Sequence, residues 1–332
     1  MKTDVKKEIN KKELKDEFTE NIRPSAFSSY IGQEKIKKIV SVSIAAAKER
    51  NEPLDHMLFY GPPGLGKTTI SCIIANEMGS NIKITTGPAI EKPGDLVAIL
   101  LSLNDGDILF LDEIHRINRN IEEILYPAME DYAIDIMTGE GVNKRSVRLT
   151  LPKFTLIGAT TRVGMLTAPL RDRFGTINRM EYYTDDELKS IVLRTASILN
   201  VNIDNDGALE IAKRSRGTPR LANRLLKQVR DFAQVEKNNC ITKDVSDSVL
   251  RFIGVNDSGL DDNDVRYLES IFKIGNGSPV GLTTIAAAIS EDEATIEDVY
   301  EPFLIQEGFV NKTPKGRQLT GLGLEQLGIE IE

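Results

Sequence analysis

The chain has 332 residues, and its 42 Lys+Arg against 50 Asp+Glu leave a net charge of −8. Apolar residues make up 40% and charged residues 28%, which excludes a disordered chain because enough apolar surface exists to offset the ordering entropy. No apolar run approaches the roughly 18–20 residues that span a bilayer, and two cysteines and two histidines are too few for a disulfide framework or a Cys/His zinc site.

Residues 1–20 carry six lysines among six acidic groups and few apolar residues, the pattern of a frayed helix or tail. With no apolar leader in this stretch and cysteine usage suited to a reducing compartment, the expectation is a cytoplasmic protein. From Ile22 to Tyr183, short apolar runs alternate with helical patterns. Residues 57–61 (MLFYG), 107–113 (DILFLDE) and 154–161 (FTLIGATT) read as buried parallel strands, with helices such as Lys67–Met78 between them, so an α/β fold is expected. Residues 129–152 differ: two alternating segments flank Gly139–Gly141, the pattern of a projecting β-hairpin.

Beyond Tyr183 the strand pattern ceases. Thr184 and Glu187 have the spacing of a capping box, followed by apolar residues at Leu188, Ile191, Val192, Ala196 and Leu199. Further helices are expected around 205–215, 218–236 and 242–253. Residues 254–259 (GVNDSG) read as a linker and 260–306 as three short helices. The expected domains are therefore 21–183, 184–254 and 257–332, the last holding five basic groups against fifteen acidic ones.

Residues 61–68, Gly-Pro-Pro-Gly-Leu-Gly-Lys-Thr, complete the phosphate-loop pattern between a strand and a helix. Glycines let backbone N–H groups turn onto phosphate, the helix N-terminus adds donors, and Lys67 adds a charge. Thr68 is placed to hold Mg²⁺. ATP or GTP is the expected ligand. At the end of the second strand Asp112 suits the metal's hydration shell, while the adjacent Glu113 suits polarisation of a water for in-line attack. Thr160 ends a neighbouring strand. Arg171 and Arg173 lie in a turn and Arg220 opens a helix; an arginine on the γ-phosphate stabilises transition-state charge by a factor of ~10³–10⁵ in rate.

Together these residues resemble an AAA+ ATPase, and more specifically the bacterial RuvB family of Holliday-junction branch-migration motors. The resemblance runs through residues 22–33 (IRPSAFSSYIGQ), 61–69, 109–116 (LFLDEIHR), 129–132 (MEDY), 157–162 (IGATTR), 170–175 (LRDRFG), 217–226 (GTPRLANRLL) and 297–317. It implies an αβα ATPase domain, a helical lid and a winged-helix head. It implies base contacts at Ile22 and Arg23, and phosphate contacts at Gly64, Lys67, Thr68 and Thr69. Mg²⁺ would sit on Thr68 and Asp112, the attacking water on Glu113, and Thr160 would be sensor 1. Glu130, Asp131, Tyr132, Tyr183 and Arg220 (sensor 2) match further nucleotide positions. Arg173 matches the arginine finger acting on ATP held by the neighbouring subunit.

A finger supplied in trans requires a ring. The resemblance implies a homohexamer on duplex DNA, working in recombination and repair with the junction-binding partner RuvA and the resolvase RuvC. The hairpin at 129–152 would dock on RuvA through Ile134, Ile136 and Met137. In the head, residues 312–317 read as a wing whose turn is fixed by Pro314 and Gly316, with Lys312 and Arg317 at DNA-contacting positions. Lys312 stands where the family has arginine, exchanging a planar fork for a point charge. Two rivals remain at this stage. A clamp-loader subunit or replication initiator would use ATP as an assembly switch, although residues 170–174 lack its Ser-Arg-Cys pattern. A protein unfoldase would carry an aromatic-hydrophobic-glycine pore loop, and residues 79–95 hold none.

Overall fold

A computed structural model describes residues 22–138, 145–236 and 240–329. The tail at 1–20 and the Gly139–Gly141 turn lie outside the described residues. The chain divides into two compact units, one ending at Tyr183 and the other beginning at Thr184.

The first unit is built on a parallel sheet of five strands: β1 (Met57–Tyr60), β2 (Ile82–Thr86), β3 (Ile108–Asp112), β6 (Thr155–Thr160) and β7 (Thr176–Arg179). Their order is β2-β3-β6-β1-β7. The strands β1, β3 and β6 are buried along nearly their whole length, as continuous apolar runs require when helices cover both faces. Helices α1 (Glu34–Arg50), α2 (Lys67–Met78), α3 (Pro93–Leu101), α4 (Arg119–Glu130) and the one-turn α5 (Ala168–Arg171) complete the unit. The edge strands β2 and β7, whose polar residues break up the apolar run that marks a buried strand, add two members to the three expected.

His56 is a structural residue. Its Nδ1 accepts from the Leu156 N–H at 2.8 Å and its Nε2 donates to the Met129 carbonyl at 3.0 Å. Burial pushes its pKa down, so it sits in the core as a neutral ring joining β6 to the end of α4.

The hairpin forms as an antiparallel pair, β4 (Ala133–Thr138) and β5 (Arg145–Thr150). Its inner face pairs Ile134 with Leu149 and Ile136 with Val147. At the base Ile134 is 1% exposed and packs with Leu125, Met129, Leu151 and Phe154; toward the tip Val147 is 41% exposed. Ile134 is thus a core residue and not a docking residue, a correction to the expectation above. The reason is that the hairpin base must cover the apolar end of α4. The side chain of Met137 lies outside the described residues.

The second unit begins with α6 (Asp185–Ile198), α7 (Asn205–Lys213), α8 (Pro219–Val235) and α9 (Lys243–Phe252). The capping box at α6 is made: the Glu187 N–H donates to Thr184 Oγ1 at 3.3 Å and the Thr184 N–H to Glu187 Oε2 at 2.9 Å. Then follow α10 (Asp262–Gly275), α11 (Leu282–Ile289), a helical run of α12 (Glu293–Thr295), a π turn (Ile296–Tyr300) and α13 (Glu301–Gln306), the strands β8 (Val310–Thr313) and β9 (Gly316–Leu319), and α14 (Gly321–Gln326). Three helical runs and a two-stranded wing around Tyr267, Leu268, Ile285, Leu304 and Val310 make a winged helix. The wing turns at Pro314 and Lys315, since Thr313 pairs with Gly316. Gly316 lies in the strand, not the turn: a Cβ there would come 2.2 Å from the Val280 carbonyl oxygen, so glycine permits the wing to close on Val280, which bridges to Arg317 just ahead of α11.

Candidate nucleotide and DNA sites

The C-terminal ends of β1, β3 and β6 share one edge of the sheet, and the chemistry collects there, as it does in open parallel sheets. The loop after β1 carries positive φ at Gly61, Gly64 and Gly66, turning its amides toward the start of α2. Lys67 is buried and its Nζ donates to the carbonyls of Gly61 (2.7 Å) and Pro62 (2.9 Å), which folds the ammonium over the loop. Thr68 and Thr69 follow in the first turn of α2, both half-buried. The Gly61 N–H donates to the Thr160 carbonyl at 3.2 Å, fastening the loop to the end of β6.

Tyr183 and the N-terminal segment close on the same loop. The buried Tyr183 hydroxyl lies 3.0 Å from that of Tyr30 and donates to the Leu65 carbonyl at 3.2 Å. Ile22 is 7% exposed, whereas Arg23 is open to solvent.

Asp112 ends β3 and accepts the Glu113 N–H on Oδ1 at 3.0 Å. Glu113 then adopts φ of +49°, a left-handed conformation that costs a side-chain-bearing residue about 1–3 kcal/mol and occurs preferentially where a site over-determines it. Gly87 makes room, since a Cβ there would come 2.5 Å from the Glu113 carbonyl oxygen. Glu113 Oε2 accepts from the Thr161 hydroxyl at 3.3 Å and lies 3.2 Å from His115 Nδ1. Thr160 is fully buried, its hydroxyl 2.9 Å from the same nitrogen and accepting the Arg162 N–H at 3.0 Å. The strand-end hydroxyl that touches the Glu113 carboxylate is therefore that of Thr161, while Thr160 reaches it only through His115. Sequence spacing singled out neither Thr161 nor His115; both lie in the quoted motifs, and nothing local marks which of two adjacent threonines faces the next strand.

The donor set of Thr68 and Asp112, one hydroxyl and one carboxylate, is hard oxygen chemistry that suits Mg²⁺, an ion that keeps several waters and takes few protein ligands beside phosphates.

Arg173 occupies a second cluster. Its guanidinium donates to Glu130 Oε2 at 3.0 Å and to the Pro169 carbonyl at 2.7 Å, and stacks 4.4 Å from the centre of the Tyr126 ring. Its Nε is buried with no hydrogen-bond partner among the described residues. None of its partners belongs to the phosphate loop of its own chain. Asp131 pairs with Arg148 of β5 at 2.6 Å, and the Tyr132 ring packs on Phe154 with centroids 5.9 Å apart, so the structure turns these two toward the hairpin and the core. In the second unit Arg220 opens α8 exposed to solvent.

The wing departs from expectation. Arg317 is 8% exposed and donates to Glu301 Oε1 at 2.6 Å, Glu301 Oε2 at 3.1 Å and Glu297 Oε1 at 3.0 Å. Tyr267 donates to the same Glu301 at 3.0 Å, and that buried hydroxyl is pushed well above its usual range by burial and the carboxylate. Hydrogen bonding by Lys312, and then by Arg317, holds the Glu297 carboxyl below its usual range. Arg317 is thus not the open DNA contact expected of it; a carboxylate pair draws its fork inward. Lys312 remains half exposed, with Nζ 2.9 Å from Glu297.

Comparison with known proteins finds one family along nearly the whole chain. The family of the Holliday junction DNA helicase RuvB P-loop domain matches residues 22–180, that of the RuvB AAA lid domain 183–256, and that of the RuvB C-terminal winged helix domain 257–328. The solved structure described as the Thermotoga maritima RuvB Holliday junction branch migration motor is 46% identical, covers 94% of this chain and 100% of its own, and superposes with a TM-score of 0.85. A point mutant of the same Thermotoga maritima protein, also 46% identical, covers 94% and 99% with a TM-score of 0.87. Among the described residues no helix is long and apolar enough to cross a membrane.

Proposed function

This chain belongs to the RuvB family, and from that premise we propose that it is an ATP-driven motor that moves four-way DNA junctions by branch migration in recombination and repair. The observation that carries the reading is the meeting, at one sheet edge, of a complete phosphate loop with a strained, tethered Glu113. Residues 21–183 bind and hydrolyse ATP, 184–254 form the lid, and 257–332 meet duplex DNA.

Lys67 and the loop amides, Gly64 among them, bind the phosphates, with Thr68 and Thr69 at the first turn of α2 and Ile22, Arg23 and Tyr183 about the base. Mg²⁺ held through Thr68 and Asp112 would supply charge to the β- and γ-oxygens. Glu113 orients the attacking water and accepts its proton, with Thr161 beside it and Thr160 linked through His115, and Arg220 is the nucleotide-sensing arginine of the lid. Arg173 serves the ATP of the next subunit in a hexameric ring with Glu130 beside it, while Asp131 and Tyr132, the neighbouring positions matched to nucleotide contacts, brace that segment against the hairpin and the core. Support for the trans role comes from where Arg173 lies: its partners are Glu130, Tyr126 and Pro169, not its own phosphate loop.

On the head, Lys312 is the phosphate contact and the buried Arg317 holds the wing that presents it. Such contacts carry no sequence code, as a motor that must traverse any sequence requires. RuvA docks on the open, Val147-bearing end of the hairpin, RuvC joins the resolving assembly, and the setting is the bacterial cytoplasm.

The test is ATP-dependent dissociation of a synthetic four-way junction with RuvA present, beside ATP turnover. Glu113→Gln and Arg173→Ala are each expected to lower turnover by about 10³ while nucleotide still binds. Turnover persisting in Glu113→Gln overturns the base assignment; normal turnover by Arg173→Ala, or by isolated monomers, overturns the shared site.

A further inference from the structure

We propose that His115 is a positioning residue for hydrolysis: its Nδ1–H and the Thr161 hydroxyl together tether one oxygen of the Glu113 carboxylate and leave the other to meet the attacking water. The proposal deepens the reading above and rests on Glu113 being the group that polarises that water.

Three observations converge on it. First, the His115 side chain is 7% exposed, with Nδ1 3.2 Å from Glu113 Oε2 and 2.9 Å from Thr160 Oγ1. The Nδ1–Thr160 contact has hydrogen-bond geometry, while Nδ1 and Oε2 stand at ion-pair distance; with a hydrogen on Nδ1 the ring donates to the threonine oxygen and turns the positive end of its N–H dipole toward the carboxylate. Thr160 Oγ1 also accepts the Arg162 N–H at 3.0 Å, which holds the ring's second neighbour in place. Secondly, the Thr161 hydroxyl donates to that same Oε2 at 3.3 Å. Oε1 has no hydrogen-bond partner among the described residues, and the Glu113 side chain is 33% exposed. One oxygen is anchored and the other is open.

Thirdly, the backbone beneath this carboxylate is held at φ of +49° where the chain leaves β3. Fixing the carboxylate falls to His115, in the turn that follows β3, and to Thr161, just past the end of β6, the strand whose Thr160 carbonyl also accepts the Gly61 N–H of the phosphate loop. The base and the phosphate cradle are thereby referred to one strand end. A base must lie within about 2.6–3.2 Å of the proton it takes, so a carboxylate free to rotate spends much of its time out of reach.

Four variants of the full chain decide the matter, with steady-state ATP turnover and nucleotide binding measured for each. His115→Ala and His115→Leu are expected to lower kcat by about 10–100-fold, with KM for ATP within about twofold of the parent. His115→Asn, whose amide places a donor near the position of Nδ1, is expected to recover most of the rate. Leucine refills the space without a donor, so a role in packing alone predicts recovery by Leu and not by Asn. Parent-like kcat in His115→Leu, or kcat in His115→Asn as low as in His115→Leu, overturns the proposal. Glu113→Gln is the fourth variant: if it keeps turning over, the base assignment itself has failed, whereas a silent Glu113→Gln beside a fully active His115→Leu removes His115 alone.

Discussion

Replacing Arg317 by alanine and, separately, Lys312 by alanine separates holding the wing from touching DNA. Arg317 is 8% exposed, and its three short contacts run to Glu301, whose side chain is 3% exposed, and to Glu297. Removing the guanidinium leaves the Glu301 carboxylate buried with the Tyr267 hydroxyl at 3.0 Å and Lys312 at 3.7 Å. Stranding one partner of a buried pair costs about 3–5 kcal/mol. Lys312 is 51% exposed and its pair with Glu297 is open to water, so its loss costs about 0–1 kcal/mol. Urea unfolding of the full chain followed by far-UV circular dichroism should show an early partial transition in Arg317→Ala and none in Lys312→Ala. DNA-stimulated ATP turnover should fall in both, but in Lys312→Ala it should fall in a fully folded protein. Arg317→Ala unfolding with the parent's midpoint would refute the argument, because a guanidinium that could leave without cost would not be holding Glu301.

Two further outcomes follow from burial. Ile134→Ala empties a site 1% exposed among Leu125, Met129 and Phe154 and should cost about 2–5 kcal/mol in denaturant, while Val147→Ala on the same face should stay within about 0.5 kcal/mol yet weaken retention by immobilised RuvA. Asp264 is fully buried beside Arg216, and burial raises its carboxyl to about 6. A folded-state value above the unfolded one near ~3.9 means that its contribution is complete at low pH and is lost as pH rises through about 6, a loss on the order of 3 kcal/mol by neutrality. The gap in unfolding midpoint between the parent and Asp264→Asn should therefore move in the parent's favour from pH 7 to pH 5; a gap independent of pH would contradict it.

The phosphate loop, the Asp112–Glu113 pair, the capping box at Thr184 and the succession of strand-helix unit, helices and wing were all legible in the sequence, because each is set by residues within a turn or two of one another. Backbone spacing and capping need no partner from elsewhere. What the sequence left open lies across long separations. Thr161 meets Glu113 from 48 positions away and Thr160 meets His115 from 45, contacts that exist only because β6 lies beside β3. The same holds for Ile134, which reads as an exposed hairpin residue until the end of α4 packs on it. It holds for Arg317, which reads as a cation in a turn until Glu301 draws it in. In each case the chemistry of the side chain was given, and its neighbours were not. Burial and charge pairing are properties of the packed chain, and it was packing that decided which groups face solvent and which are consumed in holding the structure together.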